Sequence, residues 1–301
     1  MTRLSLLLFA SLGLAACSPS PSVAPPPPLP PAAAPVRAAP SPAPTSSRPP
    51  VAAEEPEAKM TGAPPAREAT SPAPNPLQVQ EVTIAGERLT VLSFDSRSHR
   101  LEVVDQPALG SRYQRASQVS AAQGALATIN GGFFTPEGQP LGLLYHQGKR
   151  TGSLNTASSL GSGVVVTGES GRCQILRRED FRDRVAGGWR PLEALQSGPF
   201  LLENGEPVAG LSAESARIRS LVLWDGGHHF ALAQSGPLTL RDLARGLAGQ
   251  PLANFRIASA LNLDGGRSSD FHLSAALPGG EQSLRRWWNK PVRNYLIVKK
   301  R

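Results

Sequence analysis

Ala260-Leu261-Asn262-Leu263-Asp264-Gly265-Gly266-Arg267-Ser268-Ser269 is a stretch in which an apolar strand runs directly into a polar, glycine-rich loop. A carboxylate that follows a buried strand lies at the rim of a sheet, where clefts form. The paired glycines allow the backbone to approach a ligand closely, and successive N–H groups in such loops form anion-binding nests. A plain Asp-Gly turn leaves the same pattern, so the interpretation needs support from elsewhere in the chain.

A second stretch of the same kind comes earlier, at Ala127-Thr128-Ile129-Asn130-Gly131-Gly132-Phe133-Phe134. Here an amide side chain, Asn130, takes the place of the carboxylate after a short apolar strand. Two such stretches in one domain, each after a buried strand, favour a shared functional site over two unrelated turns.

The surrounding pattern predicts more strands than helices. Residues 77–84 and 87–94 alternate like strands around a tight turn at Ala85-Gly86. Further strands are predicted at 99–105, 125–129, 162–167, 172–177, 218–224, 228–234, 257–263 and 292–299. Helices are predicted at 113–123 and at 239–248, where Thr239 can cap the first turn. We therefore expect an α+β fold, with a mixed, curved β-sheet and flanking helices, in a single globular domain at residues 76–301.

The first 17 residues resemble a lipoprotein signal peptide. Arg3 is followed by a short apolar run and then by Leu14-Ala15-Ala16-Cys17, a small-residue cleavage site that resembles a lipobox. The resemblance implies lipidation of Cys17, export, and a membrane anchor in the bacterial envelope. Ser18 after the cysteine favours the outer membrane. The alternative is an ordinary signal peptide with a chance cysteine.

Residues 18–75 are dominated by Pro, Ala and Ser, and they hold 19 of the chain's 30 prolines. A segment of this composition has too little apolar surface to offset its ordering entropy. We expect a disordered linker that holds the domain away from the membrane.

The chain carries a net charge of +8, and most of the surplus lies in residues 76–301. A basic excess suits an anionic partner, such as a phosphorylated glycan or glycoconjugate, although arginine-rich base composition would give the same excess. Export argues against nucleic acid. Cys173 has no intrachain partner if Cys17 is acylated, and we expect it to be a small buried residue. We predict no cofactor and no metal-ligand set, and leave open assistance by a divalent cation.

Four motifs, in order, resemble the phosphodiester glycosidase family. They are Asn130-Gly131-Gly132-Phe133-Phe134, Leu195-Gln196-Ser197-Gly198-Pro199-Phe200-Leu201-Leu202, Leu263-Asp264-Gly265-Gly266-Arg267-Ser268-Ser269 and Val292-Arg293-Asn294-Tyr295. The resemblance covers residues 80–299. It implies hydrolysis of a sugar-1-phosphodiester at the anomeric carbon, in an envelope or extracellular glycoconjugate.

The same resemblance, together with the chemistry, assigns roles to residues. A carboxylate must serve the attacking water or the anomeric centre, and an arginine fork suits the phosphate. We expect Asp264, Arg219 and Asn130 to be catalytic, with Arg217 as an alternative to Arg219 because it lies on the same strand face. The expected substrate-binding residues are Gly131, Gly132, Gln196, Gly198, Gly265, Gly266, Ser268, Ser269 and Asn294.

Two departures keep other functions open. Arg267 stands where many members have glycine, and Arg219-Ser220-Leu221-Val222 lacks the glycine common at that place. The alternatives are a glycan-binding or structural envelope lipoprotein without turnover, and a metal-dependent phosphoesterase using Asp264 and a histidine. For the remaining candidates we expect a hairpin turn before His228-His229, packing by Trp287-Trp288 in preference to sugar stacking, and no catalytic role for His146 or His272.

Overall fold

The computed structural model describes residues 77–252 and 255–301, which fall within one compact unit. The predicted signal peptide, the lipidated Cys17 and the linker at 18–75 lie outside the described residues. Among the helices that are described, none is both long enough and apolar enough to cross a membrane.

Three antiparallel sheets make up most of the domain. The largest has seven strands in the order β1-β2-β13-β12-β16-β10-β11. Their bounds are β1 Gln78–Ile84, β2 Glu87–Asp95, β10 Phe200–Glu203, β11 Glu206–Pro207, β12 Ser220–Trp224, β13 His229–Ser235 and β16 Ser259–Asn262.

The second and third sheets have five strands each, in the orders β18-β17-β4-β19-β3 and β6-β5-β9-β7-β8. The second contains β3 His99–Asp105, β4 Ala127–Asn130, β17 Phe271–Leu273, β18 Gln282–Ser283 and β19 Asn294–Lys300. The third contains β5 Leu144–His146, β6 Lys149–Thr151, β7 Gly163–Gly168, β8 Cys173–Arg177 and β9 Pro191–Ser197. A separate two-stranded pair joins β14 Pro251–Leu252 to β15 Phe255–Arg256.

In the part of the chain that the structure describes, three α-helices flank these sheets: α1 Ala116–Gln123, α2 Arg178–Ala186 and α3 Leu240–Leu247. Short 3-10 helices lie at Ser159–Gly161 and Gly266–Ser268. Helix α3 begins as predicted, because the Thr239 hydroxyl accepts a hydrogen bond from the Asp242 N–H at 3.0 Å. Helix α2 was not predicted. Only Phe181 of its nine residues is buried, so it has no apolar stripe for a sequence pattern to detect.

The core explains why three sheets and three helices pack together. Alternate residues of a strand face opposite sides of the sheet. Val222 points into a central core shared by the three sheets, whereas Leu221 and Leu223 pack on the outer face toward α3. The second sheet likewise packs its outer face with α1 residues, and the third with α2 residues. Most strands are therefore buried on both faces.

The predicted α+β fold in a single globular domain is confirmed. The strands are divided among several sheets, and each described strand pair is antiparallel. The predicted turn at Ala85-Gly86 is also confirmed, because β1 and β2 pair up to Ile84 and Glu87 with both turn residues at positive φ.

Candidate functional site

The two glycine-rich stretches meet at one point between the sheets. Strand β4 of the second sheet ends at Asn130, and Asp264 follows β16 of the first sheet by two residues. The Asp264 N–H donates to the Gly131 carbonyl at 3.0 Å, and the Asn130 amide donates to the Asp264 carbonyl at 2.7 Å. These bonds join the ends of strands from different sheets, as their similar sequences led us to expect.

Asn130 is fully buried, and both its Oδ1 and its Nδ2 form hydrogen bonds with protein groups. Its Oδ1 accepts from the Ser220 hydroxyl at 2.6 Å and from the Asp270 N–H at 3.1 Å. Its Nδ2 holds the carbonyl of Asp264. The arrangement suits a residue that fixes the Asp264 backbone more than one that contacts a ligand directly.

The Asp264 carboxyl group is the chemically unusual group of the site. Burial raises its pKa to about 6, and hydrogen bonds from the Ser268 side chain and the Gly265 N–H, the latter at 2.8 Å, counteract part of that rise. The side chain is only partly buried, so solvent can reach it. A carboxyl group with this pKa changes charge just below neutral pH, which is where a general base or acid is useful.

Arg219 lies over the backbone of the Asp264 loop. A methyl group built on Gly265 would come within 3.8 Å of its Cδ and 4.0 Å of its Nη1. The guanidinium donates from Nε to the Leu238 carbonyl at 3.1 Å and from Nη2 to the Ser215 carbonyl at 2.7 Å. Burial, with a smaller contribution from Arg217, lowers its pKa. Arg217 is exposed, and its Cδ would lie 3.9 Å from a methyl group built on Gly266, so both arginines flank the loop.

The two glycine pairs do not form the open anion nests that the sequence led us to expect. The N–H groups of Gly131 and Gly132 donate to the main-chain and side-chain oxygens of Asn294, at 2.9 and 2.7 Å. Gly265 donates to the Asp264 carboxylate and Gly266 to the Ile218 carbonyl, at 2.8 and 2.9 Å. The glycines serve close backbone approach instead: a methyl group on Gly132 would lie 2.6 Å from the Gln196 carbonyl oxygen.

Gln196 belongs to a supporting layer. Its buried amide accepts from the N–H groups of Leu143 and Asn155 and donates to the carbonyls of Asn155 and Gly161, at 2.7 to 3.0 Å. These bonds tie β9 to the loop that precedes β7, so Gln196 shapes the wall beside Gly132.

The remaining predicted contacts lie around this centre. The carbonyl of Gly198 accepts from the Asn262 amide at 3.0 Å, and the Ser269 hydroxyl donates to the Ile218 carbonyl at 3.3 Å. The Nδ2 of Asn294 is buried without a partner among the described residues. The predicted residues are thus brought together, and their roles toward a ligand stay predictions.

Asp270 is a residue that sequence reasoning missed. It directly follows the glycine-rich loop and is almost fully buried. Its carbonyl accepts from the Asn130 N–H at 3.0 Å, and its own N–H donates to the Asn130 Oδ1 at 3.1 Å. Its Oδ2 accepts from the Ala116 N–H at 2.9 Å and from Arg285 at 2.7 Å. The sequence does contain a signal for it: Asp270 is a polar residue that directly follows Ser268-Ser269 and directly precedes the strand at Phe271–Leu273.

Other side chains singled out in the sequence lie elsewhere. Asp225 turns the β12–β13 hairpin and accepts from His229 Nδ1 at 2.7 Å, which confirms the turn. Cys173 is fully buried as predicted, and burial raises the pKa of its thiol. The packing prediction for Trp287 is wrong, because its side chain is 90% exposed. Within residues 77–252 and 255–301 no three His, Cys, Asp or Glu side chains are grouped as a metal site would require.

Comparison with known proteins adds the family. No curated protein matches the chain. The catalytic domain of zebrafish N-acetylglucosamine-1-phosphodiester alpha-N-acetylglucosaminidase, auto-inhibited by its pro-peptide, is similar in structure, with a TM-score of 0.53 and 18% identity. That match covers 77% of this chain and 85% of the zebrafish chain. A hypothetical protein from Synechocystis is similar with a TM-score of 0.51 and 16% identity, over 75% of this chain and 62% of the other.

Structural likenesses at these identities show the fold alone. The family itself is shown by the sequence: a model of the phosphodiester glycosidase family matches residues 123–299, more than half of the chain. That range contains the loops of Asn130 and Asp264 as well as Gln196 and Asn294. This chain belongs to the phosphodiester glycosidase family.

Proposed function

We propose that this protein hydrolyses a sugar-1-phosphodiester, breaking the bond between the anomeric carbon and the phosphate oxygen, with Asp264 as the essential carboxylate. The observation that carries the proposal is the Asp264 carboxyl group, whose pKa is raised to about 6 at the junction of two sheets. Family membership supplies the reaction class.

The reaction explains why one well-placed carboxylate is sufficient. The leaving group is a phosphate monoester, which departs without strong help from a general acid. Positive charge develops at the anomeric carbon while water attacks, and a carboxylate can stabilise that charge or accept the proton of the water. With a pKa of about 6, Asp264 is mostly ionised at pH 7 and is therefore ready for either role.

Arg219 is the cation that we assign to the phosphate. Two of its nitrogens are held by the Leu238 and Ser215 carbonyls, which fixes the guanidinium beside Gly265. Among the described residues Nη1 has no hydrogen bond, so it can donate to a phosphate oxygen. A guanidinium held in this way loses little rotamer freedom when it binds an anion.

Asn130, Asn294 and Gln196 are then positioning residues. Asn130 fixes the carbonyl of Asp264, Asn294 fixes both glycines after Asn130, and Gln196 supports the adjoining wall. Their substitution should displace the carboxylate without removing it.

The biological setting that we propose follows from the N-terminal sequence. The lipobox-like Leu14-Ala15-Ala16-Cys17 supports export and lipid anchoring at Cys17, and the proline-rich 18–75 supports a spacer. A phosphorylated glycan or glycoconjugate of the envelope or the extracellular space would then be within reach of the domain.

A binding protein without turnover is the second candidate. The observation in its favour is that Asn130 and all four glycine N–H groups already bond to protein atoms, which leaves few free donors around Asp264. The exposed Arg267 beside them would add charge to a binding surface.

The test is an assay of the full-length protein against a panel of sugar-1-phosphodiesters that differ in sugar and in aglycone. Release of free sugar and phosphomonoester is measured for the wild type, for Asp264→Asn and for the exposed control Asp183→Asn. We expect turnover that Asp264→Asn abolishes and Asp183→Asn preserves. Saccharide binding without release across the panel would establish the second candidate instead.

A further inference from the structure

Two adjacent tryptophans project from the surface near the candidate site. The side chain of Trp287 is 90% exposed and that of Trp288 42%, and their rings meet edge to face with centroids 5.4 Å apart. Large aromatic side chains are rarely left this exposed. Their apolar faces suit a ligand with a flat, weakly polar face, such as a pyranose ring.

The segment that carries the tryptophans is fixed on both sides. Before them, Arg285 donates to the buried Asp270 carboxylate and to the Asn289 carbonyl, each at 2.7 Å. After them, the Asn289 amide donates to the Ser269 carbonyl, and the Lys290 N–H donates to the Arg267 carbonyl at 3.0 Å. The aromatic pair is therefore held in place, which reduces the ordering entropy lost on binding.

Two clefts meet beside this segment. One, of about 570 Å³, and the other, of about 650 Å³, share Ser283, Arg285 and Arg286. Arg88 lines the first, and Arg115 and Trp287 line the second. We call the continuous surface lined by these residues the arginine–tryptophan groove.

Four arginines and two carboxylates line the groove, with Glu87 in the first cleft and Glu281 in the second. Arg285 is paired with Asp270, and Arg88 with Glu81 at 3.4 Å. The side chains of Arg286 and Arg115 are exposed and form no ion pair within the described residues, so they are available to an anion.

The groove also adjoins the Asp264 loop. Ile218 lines the 570 Å³ cleft, and its carbonyl accepts from the Gly266 N–H and the Ser269 hydroxyl. Asp264 does not line that cleft. A saccharide bound in the groove would therefore lie next to the Asp264 site without occupying it.

We propose that the arginine–tryptophan groove binds an anionic saccharide, with a pyranose stacked on Trp287 and acidic groups on Arg286 and Arg115. The assignment of this saccharide as an extension of the substrate rests on the proposed function, but its binding requires no turnover. A lipid surface is the less suitable partner, because the carboxylate of Glu281 lines the same cleft as Trp287.

The experiment uses the full-length chain in detergent and isothermal titration with three probes: hexagalacturonate, a phosphomannan oligosaccharide and neutral maltohexaose. Both acidic probes should bind more tightly than the neutral one, and added salt should weaken the binding of the acidic probes. The ratio of the affinities for hexagalacturonate and for the phosphomannan oligosaccharide shows whether the groove prefers carboxylate or phosphate. Trp287→Ala should weaken binding about tenfold, with partial recovery in Trp287→Phe. Arg286→Gln should weaken it about fivefold and reduce the salt dependence.

Controls separate this inference from others. Arg190→Gln, an exposed arginine at another cleft, should change affinity less than about twofold. Asp264→Asn should retain saccharide binding, because Asp264 does not line the groove. If the wild-type protein binds the saccharide but shows no turnover, the proposed function is overturned and the groove is not. Unchanged binding in both Trp287→Ala and Arg286→Gln would overturn the groove, as would displacement of hexagalacturonate by phosphatidylglycerol vesicles.

Discussion

Replacing Asp264 by asparagine should make the protein more stable at neutral pH while it removes activity. The pKa of Asp264 is raised from 3.8 to about 6 by burial, so the folded state holds its proton more tightly than the unfolded state does. Below about pH 4 both states are protonated and the group has no effect on stability. As the pH rises through 4 to 6, ionisation penalises the folded state, and above about pH 6 the penalty is complete.

The size of the penalty follows from the shift. A rise of about 2 pKa units corresponds to about 3 kcal/mol at 1.36 kcal/mol per unit. The carboxyl group is partly solvent-exposed, and screening reduces this figure. An asparagine at this position keeps an oxygen for the Gly265 N–H and carries no charge. We expect Asp264→Asn to gain about 1–3 kcal/mol at pH 7.5 and about a third of that gain at pH 4.5, where the penalty is only partly developed.

Urea denaturation of wild type and variant at both pH values measures the effect. Asp183→Asn serves as the matched control, because Asp183 is exposed and its side-chain accessibility is 68%. The free energy of unfolding of the control should stay within about 0.5 kcal/mol of wild type at each pH. The reasoning is refuted if Asp264→Asn is less stable than wild type at pH 7.5, or if its advantage is the same at both pH values.

Three further outcomes follow from the same geometry. The profile of kcat/KM against pH should rise with an acid limb centred near 6, because Asp264 acts as the carboxylate; a flat profile between pH 5 and 7 would exclude it as the titrating group. Gly132→Ala should lose about 2 kcal/mol or more of stability in urea titration, because the new methyl group would lie 2.6 Å from the Gln196 carbonyl, whereas Gly187→Ala, with its nearest contacts at 3.4 Å, should change little. Asn130→Ala should lose about 1–3 kcal/mol and lower kcat, since three hydrogen bonds around Asp264 disappear; wild-type kcat in this variant would contradict the positioning role.

Local features of the fold could be predicted because they depend on few neighbouring residues. The Ala85-Gly86 turn requires two residues at positive φ, and the Thr239 cap requires one hydroxyl group three residues before an N–H. The division into three sheets could not be predicted. Strands such as Ser220–Trp224 are buried on both faces, so their sequences lack the alternation that marks an inner and an outer side.

The candidate site divides in the same way. Asp264 and Asn130 were predicted because each follows an apolar strand and precedes two glycines. Their surroundings were not, since Ser220 and Asp270 reach Asn130 from 90 and 140 residues away in the chain. Those partners hold the Asn130 side chain in the orientation in which it fixes the Asp264 backbone. No pattern within a short window carries that information.

Isotope labelling of the products tests the central claim most directly. Hydrolysis of a turned-over sugar-1-phosphodiester in water enriched in ¹⁸O shows which bond breaks. Cleavage at the anomeric carbon places the new oxygen on the sugar, so the phosphomonoester should contain no label. Label in the phosphomonoester would mean attack at phosphorus, which would contradict a glycosidase and favour a phosphoesterase at the same site.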